Sequence, residues 1–204
     1  MACLLAAAIS SSLETVCFAQ AASSKGQSPA GRVQISDEFV EVLGGKYRLP
    51  GPADCKAVVL LFLGHDCPIS NSYTQEIGRI CGDYMPQNVA FCVVYADADL
   101  SADDARRHAK EYGFRCPAVV DPEMKLALQT GATVKPEAVV LSPDGDVLYR
   151  GRIDDRYVDF GKRRAQVTRQ ELRDAIAAVL AGKPVAAPRA EAIGCDIDLP
   201  KKTP

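Results

Sequence analysis

The stretch AVVLLFLGHDCPISNSY, residues 57–73, decides how this chain is read. Residues 57–63 are an unbroken run of β-branched and bulky apolar side chains, the pattern of a strand buried on both faces. Gly64, His65 and Asp66 interrupt it, and Cys67-Pro68 follows. Apolar residues then recur at three- and four-residue steps (Ile69, Tyr73, Ile77, Ile80, Cys81, Tyr84), which predicts a helix from about Ser70 to Met85. Pro68 suits the first helical turn, where its missing N–H would be unpaired in any case. Cys67 is therefore expected just past the C-terminal end of a buried strand and at the start of a helix.

That position has chemical consequences. In open α/β sheets this edge is where ligands bind. A helix N-terminus presents unpaired N–H groups and partial positive charge, both of which favour a thiolate. A thiol so placed has a lowered pKa and reacts faster near neutral pH, so Cys67 is expected to be a nucleophile. Ser70, one turn on, can hydrogen-bond that thiolate or cap the helix. His65 can favour the thiolate or stand as a solvated loop residue. Asp66 would raise the thiol pKa if it lay close.

Outward from this stretch, residues 89–96 predict a second buried strand. Ser101 caps a helix running to about Tyr112, with Asp103 and Asp104 in its first turn. Residues 117–121 give a short third strand, and 124–129 a short helix closed by Gly131. After Pro136, two alternating runs flank Ser-Pro-Asp-Gly (142–145), a hairpin signal. A charged loop fills 153–166, and the dense charges at Arg150, Arg152, Asp154, Asp155 and Arg156 read as a salt-bridged loop that closes over the sheet end. Thr168 and Glu171 form a capping box for a helix ending at Gly182. Ahead of the first buried strand, 33–50 holds short strand-like pieces around a Gly-Gly turn. The fold class is α/β: a parallel βαβ part extended by an antiparallel hairpin, giving a mixed sheet flanked by helices.

The 204 residues suit one domain with tails. The expected division is a signal peptide at 1–21, a linker at 22–32, a domain at 33–182, and a Pro/Ala-rich, mobile tail at 183–204 that carries Cys195. Ala19-Gln20-Ala21 gives the cleavage pattern, although no Lys or Arg precedes the apolar stretch and Glu14 interrupts it. The reading is an exported or periplasmic protein without a stable membrane span. A net charge of −2 supplies no basic field of the kind nucleic acid would need. None of the eight cysteines forms C-x-x-C, so neither a zinc ribbon nor a haem attachment is indicated, and no cofactor is implied. Cys81 and Cys92 fall on apolar faces and read as core, with Cys116 buried beside them. Cys55 precedes the central strand, at the opposite sheet edge from Cys67. Cys195 could reach back to resolve an oxidised Cys67, or pair with Cys55 or another cysteine.

Cys67-Pro68 between strand and helix, Pro136 ahead of a strand, the PDG hairpin and the closing helix together resemble a thioredoxin-fold redoxin. The motifs D-C-P-I-S-N (66–71), R-G-R-I-D-D-R-Y (150–157) and G-C-D-I (194–197) resemble a bacterial branch of the alkyl hydroperoxide reductase/thiol-specific antioxidant superfamily. The resemblance spans about residues 33–197. It implies a thioredoxin-like fold, and a Pro136 that is cis and faces the cysteine. It also implies a disulfide or hydroperoxide substrate with a thiol reductant. Thioredoxins carry a second cysteine where Ser70 stands. Peroxiredoxins carry Pro and Thr or Ser where Leu60 and Gly64 stand, so the hydroxyl that positions peroxide is missing. Peroxiredoxins also place an arginine near the cysteine. Arg152 is carried forward as a substrate-binding candidate with His65, Pro68 and Lys135, and the catalytic set is Cys67, Ser70, Pro136 and Cys195. Two other readings stand beside this one: a soft-metal site, such as Cu(I), built from Cys67, His65 and Cys195, and a docking protein of the same fold without turnover.

Overall fold

A computed structural model describes residues 32–33, 38–49 and 54–200. The expected signal peptide and nearly all of the expected linker lie outside these residues. The elements are β1 (Glu38–Val40), β2 (Lys46–Arg48), β3 (Ala57–Phe62), α1 (Pro68–Tyr84), β4 (Val89–Tyr95), α2 (Ala102–Glu111), β5 (Ala118–Val120) and α3 (Lys125–Thr130), followed by β6 (Val134–Lys135), β7 (Glu137–Leu141), β8 (Val147–Gly151), β9 (Tyr157–Asp159), β10 (Lys162–Arg163), α4 (Glu171–Leu180), β11 (Arg189–Ala190) and β12 (Cys195–Asp196).

Six strands make the central sheet in the order β11-β8-β7-β3-β4-β5. β3, β4 and β5 run parallel, while β7 is antiparallel to β3 and to β8. Every residue of β3 is buried, because its alternating sides feed two apolar layers. Val59 and Leu61 face the layer holding Ile77 and Ile80 of α1 with Leu172 and Ile176 of α4. Val58, Leu60 and Phe62 face the layer holding Leu126 of α3 with Phe39 and Leu49. An all-apolar run with no alternation is what a strand covered on both faces requires.

One sheet edge is covered and the other ends in a two-residue strand, both of which limit strand addition. The β1–β2 hairpin lies against β5, where the Val42 amide donates to Ala118 O at 2.7 Å. β11 pairs parallel with β8. Gly151 is required at that edge: a Cβ there would overlap the Ala190 carbonyl oxygen. The predicted 142–145 turn closes the β7–β8 hairpin, with Ser142 N donating to Asp146 O at 2.9 Å.

Four expectations are corrected. The tail expected to be mobile is strand-paired within 183–200: β11 pairs with β8 and β12 with β6. Arg32, assigned to the linker, bridges Asp146, and its Nε donates to Asp144 O at 2.8 Å. The charged loop holds a second hairpin, β9–β10, because Gly161 takes the left-handed turn conformation (φ 74°) that lets the chain reverse. The capping box does not form. Gln170 occupies the N-cap of α4, since the Thr168 hydroxyl donates to Asp155 and the Glu171 carboxylate is taken by Arg152.

Candidate functional site

Cys67 is the N-cap residue of α1, with extended backbone (φ −82°, ψ 112°) and Pro68 in the first turn. Its carbonyl accepts the first helical bond from Asn71 N at 2.9 Å. The loop behind it is tight. Gly64 lies so close that a Cβ there would sit 2.9 Å from Cys67 Cβ. Gly64 N donates to Ser70 Oγ at 3.1 Å, which closes the loop over the first helical turn. Ser70 is fully buried one turn inside the helix, so it is not the cap.

The Lys135–Pro136 peptide bond is cis and packs against this loop. Cys67 Sγ donates to the Lys135 carbonyl oxygen at 3.3 Å. β12 runs antiparallel to β6, with Cys195 directly across from Lys135 and Asp196 across from Val134. Gly194 makes this approach possible, because a Cβ there would overlap the Lys135 carbonyl and sit 2.9 Å from Pro136 N. This pairing brings Cys195 to the same residue whose carbonyl Cys67 touches, close enough for the two thiols to influence each other's ionisation. Thus Lys135 touches both cysteines, through its carbonyl on one side and its strand pairing on the other.

The two thiols are electrostatically unequal. Burial alone would push Cys67 up. Donors from the Cys195 thiol, the Ser70 amide and hydroxyl, and the Cys195 amide outweigh it and hold Cys67 below the ordinary thiol value. Cys195 is pushed up to about 12 by burial and by its donation to Cys67. The asymmetry favours ionisation of Cys67 over Cys195. Cys67 is only 2% exposed, covered by the returning strand, whereas Cys195 is partly buried.

A buried polar chain, not visible in the sequence, fixes the loop. Asn71 Nδ2 donates to His65 O at 3.1 Å. Its Oδ1 therefore accepts from His108 Nε2 (2.9 Å), and His108 Nδ1 accepts from the Tyr95 hydroxyl (2.8 Å). This assigns a neutral His108, consistent with burial driving its pKa down. Asn71 was visible in the D-C-P-I-S-N motif. His108, on α2, offered no local signal.

The R-G-R-I-D-D-R-Y segment buttresses α1 and α4. Asp154 Oδ1 accepts from the Tyr73 hydroxyl at 2.7 Å, Arg156 Nη1 donates to Ser72 O at 3.1 Å, and the Tyr157 and Ser72 hydroxyls lie 2.9 Å apart. Arg152 Nε donates to Glu171 Oε1 at 2.9 Å, and the residue lines a small cleft with Tyr73, Pro136 and Ile193. Arg150 donates to Gly131 O and faces Glu137, whose Oε2 accepts from Thr133 N at 2.8 Å and steadies the turn before Pro136.

His65 stands apart from the two sulfurs. Its Nδ1 lies 3.8 Å from Asp66 Oδ1 and 3.8 Å from Asp97 Oδ2, and Lys135 Nζ lies 3.9 Å from the same Asp97 oxygen. Among the described residues, the grouping that could hold a metal is therefore His65, Asp66 and Asp97 rather than His65 with the two cysteines. The Lys135 ammonium already answers part of its negative charge. Cys81, Cys92 and Cys116 are buried as thiols away from this site, Cys81 and Cys116 side by side. Cys55 lines a cavity with Tyr47 and Phe91. No helix among the described residues is long and apolar enough to cross a membrane.

No protein-family model and no curated relative matches the chain. Solved structures do. A hypothetical protein from Sinorhizobium meliloti 1021 superposes with TM-score 0.73 at 24% identity over 84% of this chain and 94% of that one. An uncharacterised conserved protein from Geobacillus kaustophilus gives TM-score 0.73 at 26% identity over 86% and 95%. A candidate thiol:disulfide interchange protein, DsbE, from Chlorobium tepidum gives TM-score 0.57 at 15% identity over 74% and 96%. The fold is therefore the α/β thioredoxin-like fold, with a central mixed sheet and flanking helices.

Proposed function

We propose that this protein is a thiol–disulfide oxidoreductase whose redox pair is Cys67 and Cys195. One observation carries the reading: β12 seats Cys195 across from Lys135, whose carbonyl accepts from Cys67 Sγ, beside cis-Pro136. The Cys67 thiolate attacks one sulfur of a substrate disulfide. A Cys67–substrate bond forms, the substrate S–S bond breaks, and the leaving sulfur takes a proton. Cys195 then loses its proton and attacks Cys67 Sγ, releasing the second substrate sulfur as a thiol. The substrate gains two electrons and the protein keeps a Cys67–Cys195 disulfide, which an external dithiol reduces. Ser70 acts on the first step by donating to the thiolate.

Disulfide is favoured over hydroperoxide by what surrounds the sulfur. At position 64 a Cβ would crowd Cys67, so the peroxide-positioning hydroxyl has neither residue nor room. Arg152 is held by Glu171, and Arg156 by Asp154 and Ser72 O. We take the chain as a redoxin related to the alkyl hydroperoxide reductase/thiol-specific antioxidant superfamily that works on disulfides outside the cytoplasm. The motifs at 66–71, 150–157 and 194–197 and the leader-like N-terminus support that placement.

The test is turnover of a low-molecular-weight disulfide with a dithiol reductant. Cys67→Ser should abolish it, and Cys195→Ser, given the disulfide before any dithiol is added, should stop at a Cys67–substrate mixed disulfide detectable by mass. Turnover by Cys67→Ser, or release of both substrate thiols by Cys195→Ser with no dithiol present, would refute the assignment.

A further inference from the structure

The strand that delivers Cys195 also blocks the way to Cys67. β6 pairs only with β12 among the described strands, so without β12 the main chain of 133–135 would be an open strand edge beside the reactive sulfur. With β12 in place that edge is filled. Cys195 and Asp196 sit across from Lys135 and Val134, and Ile197 N donates to Thr133 O at 2.8 Å. Three side-chain requirements follow along the strand. Position 194 accepts no Cβ, because the Lys135 carbonyl is there. Position 195 presents sulfur to Cys67. Position 197 is buried in the second apolar layer with Ala132 and Val139, while Asp196 between them is exposed.

We propose that residues 194–197 are an internal stand-in for the substrate. The substrate is then an extended polypeptide segment with a disulfide-bonded cysteine, preceded by glycine and followed two residues later by an aliphatic side chain. This rests on the disulfide reading above and names its substrate class. The edge accommodates one strand at a time, so the cycle is a strand exchange. The internal strand leaves, giving up a two-residue pairing, the Ile197–Thr133 hydrogen bond and the burial of Ile197. The substrate strand takes its place and places its own disulfide sulfur where Cys195 was. Cys67 attacks that sulfur, and the substrate's other sulfur departs as a thiol. The return of 194–197 then displaces the substrate strand and brings Cys195 onto Cys67 Sγ. The substrate cysteine leaves reduced, and an external dithiol later reopens the Cys67–Cys195 bond.

The experiment uses the full chain carrying Cys195→Ser, so that every mixed disulfide persists. The probe is the peptide Ile-Gly-Cys-Asp-Ile-Asp-Leu with its cysteine activated as a 2-thiopyridyl disulfide. Release of pyridine-2-thione is followed against Cys67. Two altered peptides, with valine for the glycine and with aspartate for the second isoleucine, are run beside it with 2-thiopyridyl cysteamine. The cognate peptide should react at least about tenfold faster than either altered one. Unseating the internal strand by Ile197→Ser, or independently by Gly194→Val, should raise the rates of cognate peptide and cysteamine probe alike. Equal rates for the three peptides, with the cysteamine probe reacting normally, would overturn the substrate assignment alone. Rates unmoved by both unseating substitutions would overturn the strand exchange. A Cys67 that ignores even the cysteamine probe in both variants would sink the disulfide reading itself.

Discussion

Cys67 is held between two opposed effects. A sulfur this deeply covered should resist ionisation, yet the groups that cover it are donors: the Cys195 thiol, and the amide and hydroxyl of Ser70. Cover and activation therefore come from the same atoms. Hydrogen bonds to a charged group are worth about 1.5–3 kcal/mol, which corresponds to about one to two pKa units. Ser70→Ala removes one such donor and leaves Gly64 N without its acceptor. The midpoint of Cys67 alkylation against pH should rise from its lowered position towards the ordinary thiol value. An unmoved midpoint would remove Ser70 from the thiolate's support. Cys67 itself was legible in the sequence, because strand, loop and helix are local patterns that converge on it. Ser70 was legible as cap or thiolate donor, and its place one turn inside the helix excludes the cap. Asn71 was visible in the motif but not interpretable: its partner His108 lies 37 residues away on another helix. Asn71→Ala should leave the fold intact and lower the rate at which Cys67 reacts with a small disulfide. The cost in stability should be about 1–3 kcal/mol from the partners left unsatisfied, read by urea unfolding.

Among the elements, the segment from Arg150 to Tyr157 does the most to hold the site in place. Its side chains diverge to different parts of the molecule. Asp154, Arg156 and Tyr157 brace the first turns of α1, Asp155 receives the amides of Thr168 and Arg169 ahead of α4, and Arg150 faces Glu137 next to Pro136. The dense charges of this segment read in the sequence as a salt-bridged loop, with Arg152 offered for substrate, and the ion pairs are present. Which partner each charge takes was not legible, since charge spacing carries no information about tertiary pairing. The failed capping box has the same cause: a local signal at Thr168 and Glu171 lost to Asp155 and Arg152, which arrive from elsewhere in the chain. Asp155 yields a pH prediction. Burial would raise its carboxyl, but the Thr168 hydroxyl and amide, the Arg169 amide and Arg164 win, bringing it down to about 2. A folded value below the unfolded one of about 3.9 means that its stabilisation is complete above pH 4. It is lost as pH falls from 4 towards 2. In thermal melts across that window, Asp155→Asn should flatten the decline relative to the native chain. An equal decline in both would show that Asp155 contributes no charge-linked stability.

At the scale of the whole molecule, the last described strand returns to the loop of Cys67. The sheet and both apolar layers are nearly complete by α4, and this much was legible from hydrophobic periodicity alone. The last strands were not, because β11 and β12 are two residues each and carry no periodicity. Their placement depends on two glycines, Gly151 and Gly194, that let backbones approach closely. A bond between Cys67 and Cys195 would close a loop of more than 100 residues. Chain entropy gives such a closure about 4–5 kcal/mol. The oxidised protein should therefore melt on the order of 10 °C above the reduced one, and the difference should vanish in Cys195→Ser. Identical melts of the oxidised and reduced native chain would mean that no long loop is closed. The most direct measurement is a disulfide map by mass spectrometry, made after the reduced, full-length protein is oxidised with one equivalent of a small disulfide. The account predicts a single intramolecular bond joining the peptides of Cys67 and Cys195. A Cys67 that stays a thiol, or that pairs with any cysteine but Cys195, would contradict it.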